Sequence, residues 1–257
     1  MPPKKIRPVA HEDRLSLVEH LDELRTRLMV ALFAFGVAFG LCFWQDERLI
    51  DIVNKPLPDG HEPITLSPTE PLMTTVTVAA YGAILLAMPI ILYQIYAFVL
   101  PAFSPSERKV ALPLLLMIPF LFIGGVAFGY FVVLKPALNF LLDFNASEFQ
   151  TEVRARDYYS FVSLSLLSLG ILFQIPVGVL GLTRLGITTP EKLRHNRRFA
   201  IVGCAVLAAL LPTIDPVTML IEMVPLIALY ELSIVLASAW GRPSAEVAER
   251  LASAEGS

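Results

Sequence analysis

The first candidates for chemistry lie in the stretch Ser16-Leu17-Val18-Glu19-His20-Leu21-Asp22-Glu23-Leu24-Arg25-Thr26-Arg27-Leu28. A helix entering a membrane is held at the surface by basic residues, here Arg25 and Arg27. It does not need Glu19, Asp22 and Glu23 at the same depth. One reading is a solvated polar face with internal ion pairs, of which Glu23 and Arg27, four apart in the favourable order, are an example. The other is a carboxylate platform for a cationic partner. Glu107 belongs beside Glu23 in that reading, in a short polar loop near Phe98, Phe103 and several prolines. Two carboxylates on one membrane face suit a partner with arginines, whose planar guanidinium forks onto carboxylates.

A second group consists of polar residues inside apolar runs: Gln174, Glu222 and Glu231. Such groups at membrane depth are costly and face a cavity or a partner. For Gln174 the simpler reading is a hydrogen bond to a neighbouring helix. Glu222 lies seven residues past Asp215, roughly 10 Å deeper along a helix. There it must be neutral or paired, and it is read as functional. Asp215 has a structural alternative as the cap of the following helix, with Pro216 at the first helical position. No phosphate-binding glycine loop, zinc spacing or nucleophile elbow occurs. His11, His20, His61 and His195 lie in polar segments, and Cys42 and Cys204 lie in apolar runs without metal-type spacing. Neither enzyme activity nor a metal or other cofactor is expected.

The elements that must position these residues are membrane helices. Mean hydropathy is +0.65, and only 17% of the 257 residues are charged, which indicates a polytopic membrane protein. A net charge of -3 excludes general affinity for nucleic acid. Ser16 with Glu19 reads as a capping box opening a short amphipathic helix. Leu17, Leu21, Leu24 and Leu28 form its apolar stripe. That helix runs into the first span, Leu28 to Trp44, in which Gly36 and Gly40 permit close helix approach. A proline-rich acidic loop covers 45–71. The second span, Leu72 to about Phe98, would be roughly 40 Å long, with a kink site at Pro89. The third span is Val110 to Leu134, with Gly125 and Gly129 four apart, followed by an acidic loop, 135–157. The fourth runs from Tyr158 to Leu182 with Gln174 and Pro176 inside it. The fifth is short, Phe199 to Ile214, and the sixth runs from Val217 to Trp240. With both termini inside, the inner segments hold fifteen Lys and Arg and the outer ones five, which sets the orientation. The expectation is an all-α protein of six transmembrane helices over 15–240, N-in and C-in, forming a curved wall with a concave groove. Residues 1–14 and 241–257 are expected to be disordered tails.

Several motifs carry a resemblance. His20-Leu21-Asp22-Glu23-Leu24-Arg25-Thr26-Arg27-Leu28 resembles the N-terminal signature of the TatC family, the large subunit of the twin-arginine protein translocase. So do Pro89-Ile-Ile-Leu-Tyr-Gln-Ile-Tyr-Ala-Phe-Val-Leu-Pro-Ala-Phe103 with Glu107-Arg108, the segment Gly186-Ile-Thr-Thr-Pro-Glu-Lys-Leu-Arg194, and Asp215 at the fifth–sixth turn. The resemblance covers about residues 15 to 240. It implies a receptor in the cytoplasmic (inner) membrane for folded precursors whose signal peptides carry two consecutive arginines. TatA-type and TatB-type subunits would be its partners, in a homo- or hetero-oligomeric receptor complex, with export driven by the proton-motive force. It also implies that Glu23 and Glu107 contact the arginine pair and that Leu24, Arg25 and Phe98 shape or support that site. Pro56 and Leu72 fall at outer-side positions that matter in the family. Many relatives carry a glutamate in the fourth span where this chain has Gln174, which questions any mechanism needing a titrating acid there.

Two readings from other classes are a secondary transporter using intramembrane acids and a passive membrane scaffold. The absence of an internal repeat counts against the first. The acidic inner-face platform is left unexplained by the second.

Overall fold

Nothing between the polar N-terminal stretch and Trp44 interrupts a helix, and no proline occurs there, so α1 (Glu12–Trp44) is one element of 33 residues. The computed structural model describes residues 12–99, 105–148, 151–184, 186–211 and 216–240; within these ranges it describes all side chains but those of 12–19, 99, 105–116 and 240. Of the expected tails 1–14 and 241–257, residues 1–11 and 241–257 lie outside the described residues, whereas 12–14 belong to α1. Because α1 begins at Glu12, Ser16 lies within the helix and does not open it. The capping-box reading of Ser16 and Glu19 is therefore corrected.

After α1 come α2 (Asp46–Asn54) and α3 (Glu70–Val99), the latter with Pro89 inside it. The loop expected over 45–71 thus opens with a nine-residue helix. Next is α4 (Pro105–Phe128), which passes through one π-helical turn, Gly129–Val133, into α5 (Leu134–Asp143). Residues 135–143, expected to be loop, continue the helix, so the third span is longer than the apolar run suggests.

The fourth span is broken into α6 (Ala155–Leu172) and α7 (Ile175–Arg184). Pro176 has no N–H to donate to the preceding turn, and the chain tightens at Phe173-Gln174 before resuming. The Gln174 carbonyl then accepts from Val177 and Gly178. At the other end of α7, Gly186 adopts φ +72°. Its N–H donates to the Thr183 carbonyl and the Ile187 N–H to the Leu182 carbonyl, a Schellman ending that needs a left-handed residue. Thr189 caps α8 (Pro190–His195) by accepting from the Lys192 N–H at 3.3 Å. The last elements are α9 (Arg197–Ala209) and α10 (Pro216–Trp240), with Pro216 at the first helical position as expected.

Among the described residues there is no strand; one isolated parallel bridge joins Ile64 to Arg154. Among the described residues, five helical segments are long and apolar enough to cross a membrane: His20–Trp44, Glu70–Phe98, Met117–Asp143, Ala155–Arg184 and Pro216–Ala239. The expected fifth span differs. α9 has 13 residues, about 20 Å of helix against a hydrocarbon core of about 30 Å.

Side-chain pairings give the directions. α1 lies antiparallel along α3: Ala38 packs with Ala83 and Ala87, while His20 meets Phe98 at the far end. α4 lies antiparallel to the broken helix, with Gly129 close to Leu166 and Gly125 close to Phe173. The largest apolar cluster joins Val53 of α2, Val78 of α3, Leu134 and Leu138 of α5, and Tyr158, Val162 and Leu166 of α6. Its tyrosine hydroxyls are satisfied by the end of α2: Tyr158 donates to the Val53 carbonyl at 2.7 Å, and Tyr130 to the Ile52 carbonyl at 2.6 Å. Beside it, Glu70 is only 5% exposed and accepts from Arg154 Nε at 2.8 Å and the Leu66 N–H at 2.9 Å. The hydrogen bond to Glu70 pushes Arg154 further above its ordinary range. The molecule therefore has a Glu70 end and, opposite along α3, a Glu23 end.

Candidate functional site

At the Glu23 end, α1 turns a polar edge toward α3. Arg27 donates to Glu23 Oε1 from Nε at 2.9 Å and from Nη2 at 2.5 Å. Its third contact, Nη1 to Gln94 Oε1 at 3.1 Å, crosses to α3. The pair expected four residues apart is therefore present, but it is not a free surface bridge, because Gln94 fixes the guanidinium. Glu23 Oε2 faces His20 Nδ1 at 3.8 Å and accepts no hydrogen bond among the described residues. The His20 ring stacks on Phe98 with centroids 4.3 Å apart and planes 14° apart. A cavity of about 430 Å³ opens here, lined by Asp22, Glu23, Thr26, Arg27, Val30 and Gln94.

Leu21, Leu24 and Leu28 are 63%, 44% and 62% exposed, so the leucine stripe points away from the fold. The half-buried positions are Glu23 and Arg27. Phe98 and Glu23 both meet His20. Leu24 and Arg25 are exposed and do not line the cavity. Glu107 lies in the first turn of α4, and its side chain falls outside the described residues. His20 and Gln94 were not among the candidates. Gln94 is four residues before Phe98, hence on the same helix face. A polar residue at that spacing in an uncharged run is the signal that points to it.

The chemistry available is anion-based recognition. One oxygen of Glu23 is engaged by Arg27, and the other faces His20 and accepts no hydrogen bond among the described residues. A guanidinium is the best match, because it adds a fork of N–H donors and stacks on flat rings.

The intramembrane candidates separate into different environments. Gln174 is buried, and its Nε2 donates to the Ile118 carbonyl of α4 at 3.2 Å, the helix-to-helix bond that the simpler reading expects. Glu231 is partly exposed and pairs with Arg197 Nη2 at 2.7 Å, tying α10 to α9. Glu222 is 0% exposed and shares the buried stripe of α10 with Thr218, Leu226, Leu229 and Ser233. Phe173 and Ile175, on either side of Gln174, pack into the same cluster as Met219 and Met223. Gln174 and Glu222 thus lie at one level, where the break in the fourth span meets α10. Pro56 is buried after α2 and Leu72 is exposed in the first turn of α3, both at the Glu70 end. Asp215 lies outside the described residues.

Residues 19–225 match the family model described as Sec-independent protein translocase protein (TatC). The chain is 36% identical to the Sec-independent protein translocase protein TatC of Aquifex aeolicus, over 91% of this chain and 99% of that one. It is 35% identical to the protein of that name from Deinococcus radiodurans, over 91% of this chain and 90% of that one. A crystal structure described as the twin-arginine translocase receptor TatC in DDM superposes with a TM-score of 0.74, at 36% identity, covering 84% of this chain and 98% of that one.

Proposed function

This chain belongs to the TatC family of Sec-independent protein translocases, and we propose that it is the receptor that reads twin-arginine signal peptides with the Glu23 end of the fold. As a family member with five span-length helices it is a multi-pass membrane protein with a role in protein transport. The carrying observation is Glu23: Oε1 is held by Arg27, and Oε2 faces His20 with no hydrogen bond among the described residues, at a cavity beside the His20–Phe98 stack.

In this reading one arginine of the signal takes Oε2 and lies against the exposed edge of the stack. Arg27 and Gln94 act as positioning residues, because they fix the carboxylate before the ligand arrives. Glu107 meets the second arginine from the start of α4, and Leu24 and Arg25 border the entering peptide. The Glu23 end faces the cytoplasm of a cytoplasmic-membrane protein with both termini inside, as the excess of Lys and Arg on that side requires. TatA-type and TatB-type subunits complete the translocase. The chain itself is not an enzyme, and export draws on the proton-motive force. Glu222 supplies the acid that relatives carry at the level of Gln174. Asp215, Pro56 and Leu72 belong to the outer side. The short α9 sits in a locally thinned bilayer and completes a curved six-helix wall.

The test is binding of a twin-arginine peptide to the purified protein in detergent, against the same peptide with two lysines. Binding of the first only supports recognition through fixed carboxylates, because lysine offers a point charge rather than a fork. Equal binding of both would refute it. A transporter or passive scaffold would bind neither.

A further inference from the structure

The Glu70 end holds a second cavity, of about 420 Å³, between the start of α3 and the start of α6. That volume falls within the range of small-ligand sites, about 300–1,000 Å³. Its character changes along its length. Ser67 and Thr69 contribute from the segment before α3 and Arg156 from the first turn of α6, whereas Met73 and Thr77 contribute from the first two turns of α3. Thr77 lies roughly 10 Å along the helix from Glu70. Its hydroxyl is used, donating to the Met73 carbonyl at 2.7 Å. The cavity therefore has its charged groups at the outer part, while hydroxyls of Thr74, Thr77 and Tyr159 and the Met73 side chain line it farther down.

The charges are unevenly satisfied. Glu70 is neutralised by Arg154 and the Leu66 N–H. Asp157 also lies near Arg154, without lining the cavity. Arg156 is exposed, and its guanidinium makes no hydrogen bond or ion pair among the described residues. With Glu70 and Arg154 cancelling, the lining carries one uncompensated positive charge. The N-termini of α3 and α6 add partial positive charge beside it. The adjoining surface is apolar: Leu72, Met73 and Val76 are all exposed.

A cation and hydroxyls at the polar end, above an exposed apolar ledge on a membrane helix, select an anionic amphiphile over a soluble anion. We propose that this cavity holds the phosphate headgroup of an anionic phospholipid, with its acyl chains laid along Met73 and Val76. Arg156 forks onto the phosphate oxygens, and the Ser67–Thr69 hydroxyl pair, whose members lie 3.2 Å apart in hydrogen-bond contact, donates its one free O–H to them. A lipid bound there braces the junction between the 45–69 segment and α6, the same junction that Glu70 and Arg154 close. The proposal rests on the multi-pass reading and is independent of signal-peptide recognition at the other end.

The experiment uses the full purified chain in detergent, titrated separately with dioctanoyl phosphatidylglycerol, dioctanoyl phosphatidylcholine and inorganic phosphate at constant ionic strength. Lipid retention is read by native mass spectrometry and stabilisation by thermal unfolding. Phosphatidylglycerol should be retained and should raise the midpoint more than either other ligand. Arg156→Ala should weaken it about tenfold, the loss of one charge-assisted contact, and Arg156→Lys by less. Twin-arginine peptide binding, measured on the same samples, should not change in either variant. Equal stabilisation by inorganic phosphate would make this a soluble-anion site and overturn the proposal. Equal retention of phosphatidylcholine, or unchanged phosphatidylglycerol binding in Arg156→Ala, would overturn it as well.

Discussion

Two pairs of glycines four residues apart look alike in the sequence and differ in the structure. A methyl group built on Gly36 or Gly40 meets nothing within 4 Å, whereas one on Gly125 lies 2.8 Å from the Leu169 carbonyl oxygen and 2.8 Å from Phe173 Cγ. Ordinary contact begins near 3.4 Å, so Gly125→Ala must drive α4 and α6 apart by about 0.6 Å. One obstacle is backbone, which a side-chain rotation cannot relieve. Overpacking of this kind costs about 1–3 kcal/mol. Removing a helical glycine returns about 0.5–1 kcal/mol. The expected net loss is up to about 2.5 kcal/mol for Gly125→Ala, against a gain of no more than about 1 kcal/mol for Gly36→Ala or Gly40→Ala. Unfolding by SDS in mixed micelles, followed by circular dichroism, measures all three in the same background. If Gly125→Ala is as stable as Gly36→Ala, the close approach of α4 to α6 is wrong.

Further outcomes follow from buried polar groups. Glu222→Gln should impair export in a cell-based assay, and adding Gln174→Glu should restore part of it, because the two positions lie at one level. Normal export by Glu222→Gln would contradict an acid requirement. Tyr158→Phe removes the donor to the buried Val53 carbonyl, which should cost about 1–3 kcal/mol and raise protease cleavage within 45–69. An unchanged unfolding midpoint and cleavage pattern would argue against the tyrosine as an anchor of α2.

What the sequence made legible depended on the range of the interactions. The long apolar runs, the short α9, Pro216 at a helix start and the Glu23–Arg27 pair are local patterns, and the structure contains each. Which face of α1 turns toward the fold is a tertiary outcome. In water a leucine stripe would be the buried side, but a membrane helix gains little by burying leucine, so the pairing to Gln94 on α3 decides which edge turns inward. The break at Phe173-Gln174 was signalled by Pro176, although a proline only permits a break. The continuation of α4 through a π turn into α5 reflects burial of Leu134 and Leu138 against α6. No run of residues near Lys135 announces that burial. The bond between Glu70 and Arg154, 84 positions apart, has no local signature at all. At the candidate site the acids were visible from their types, whereas His20 and Gln94 acquire their roles only once α1 lies along α3.

The most direct test of signal recognition is the affinity of an isolated twin-arginine peptide for the purified protein, compared among wild type, Glu23→Ala, Glu107→Ala and Glu107→Lys. A charge-assisted bond contributes about 1.5–3 kcal/mol, so each alanine should weaken binding by about tenfold or more. Glu107→Lys should bind more weakly than Glu107→Ala, since it sets a cation against the arginines. Equal affinities for wild type, Glu23→Ala and Glu107→Lys, with each variant still folded, would contradict the carboxylate site.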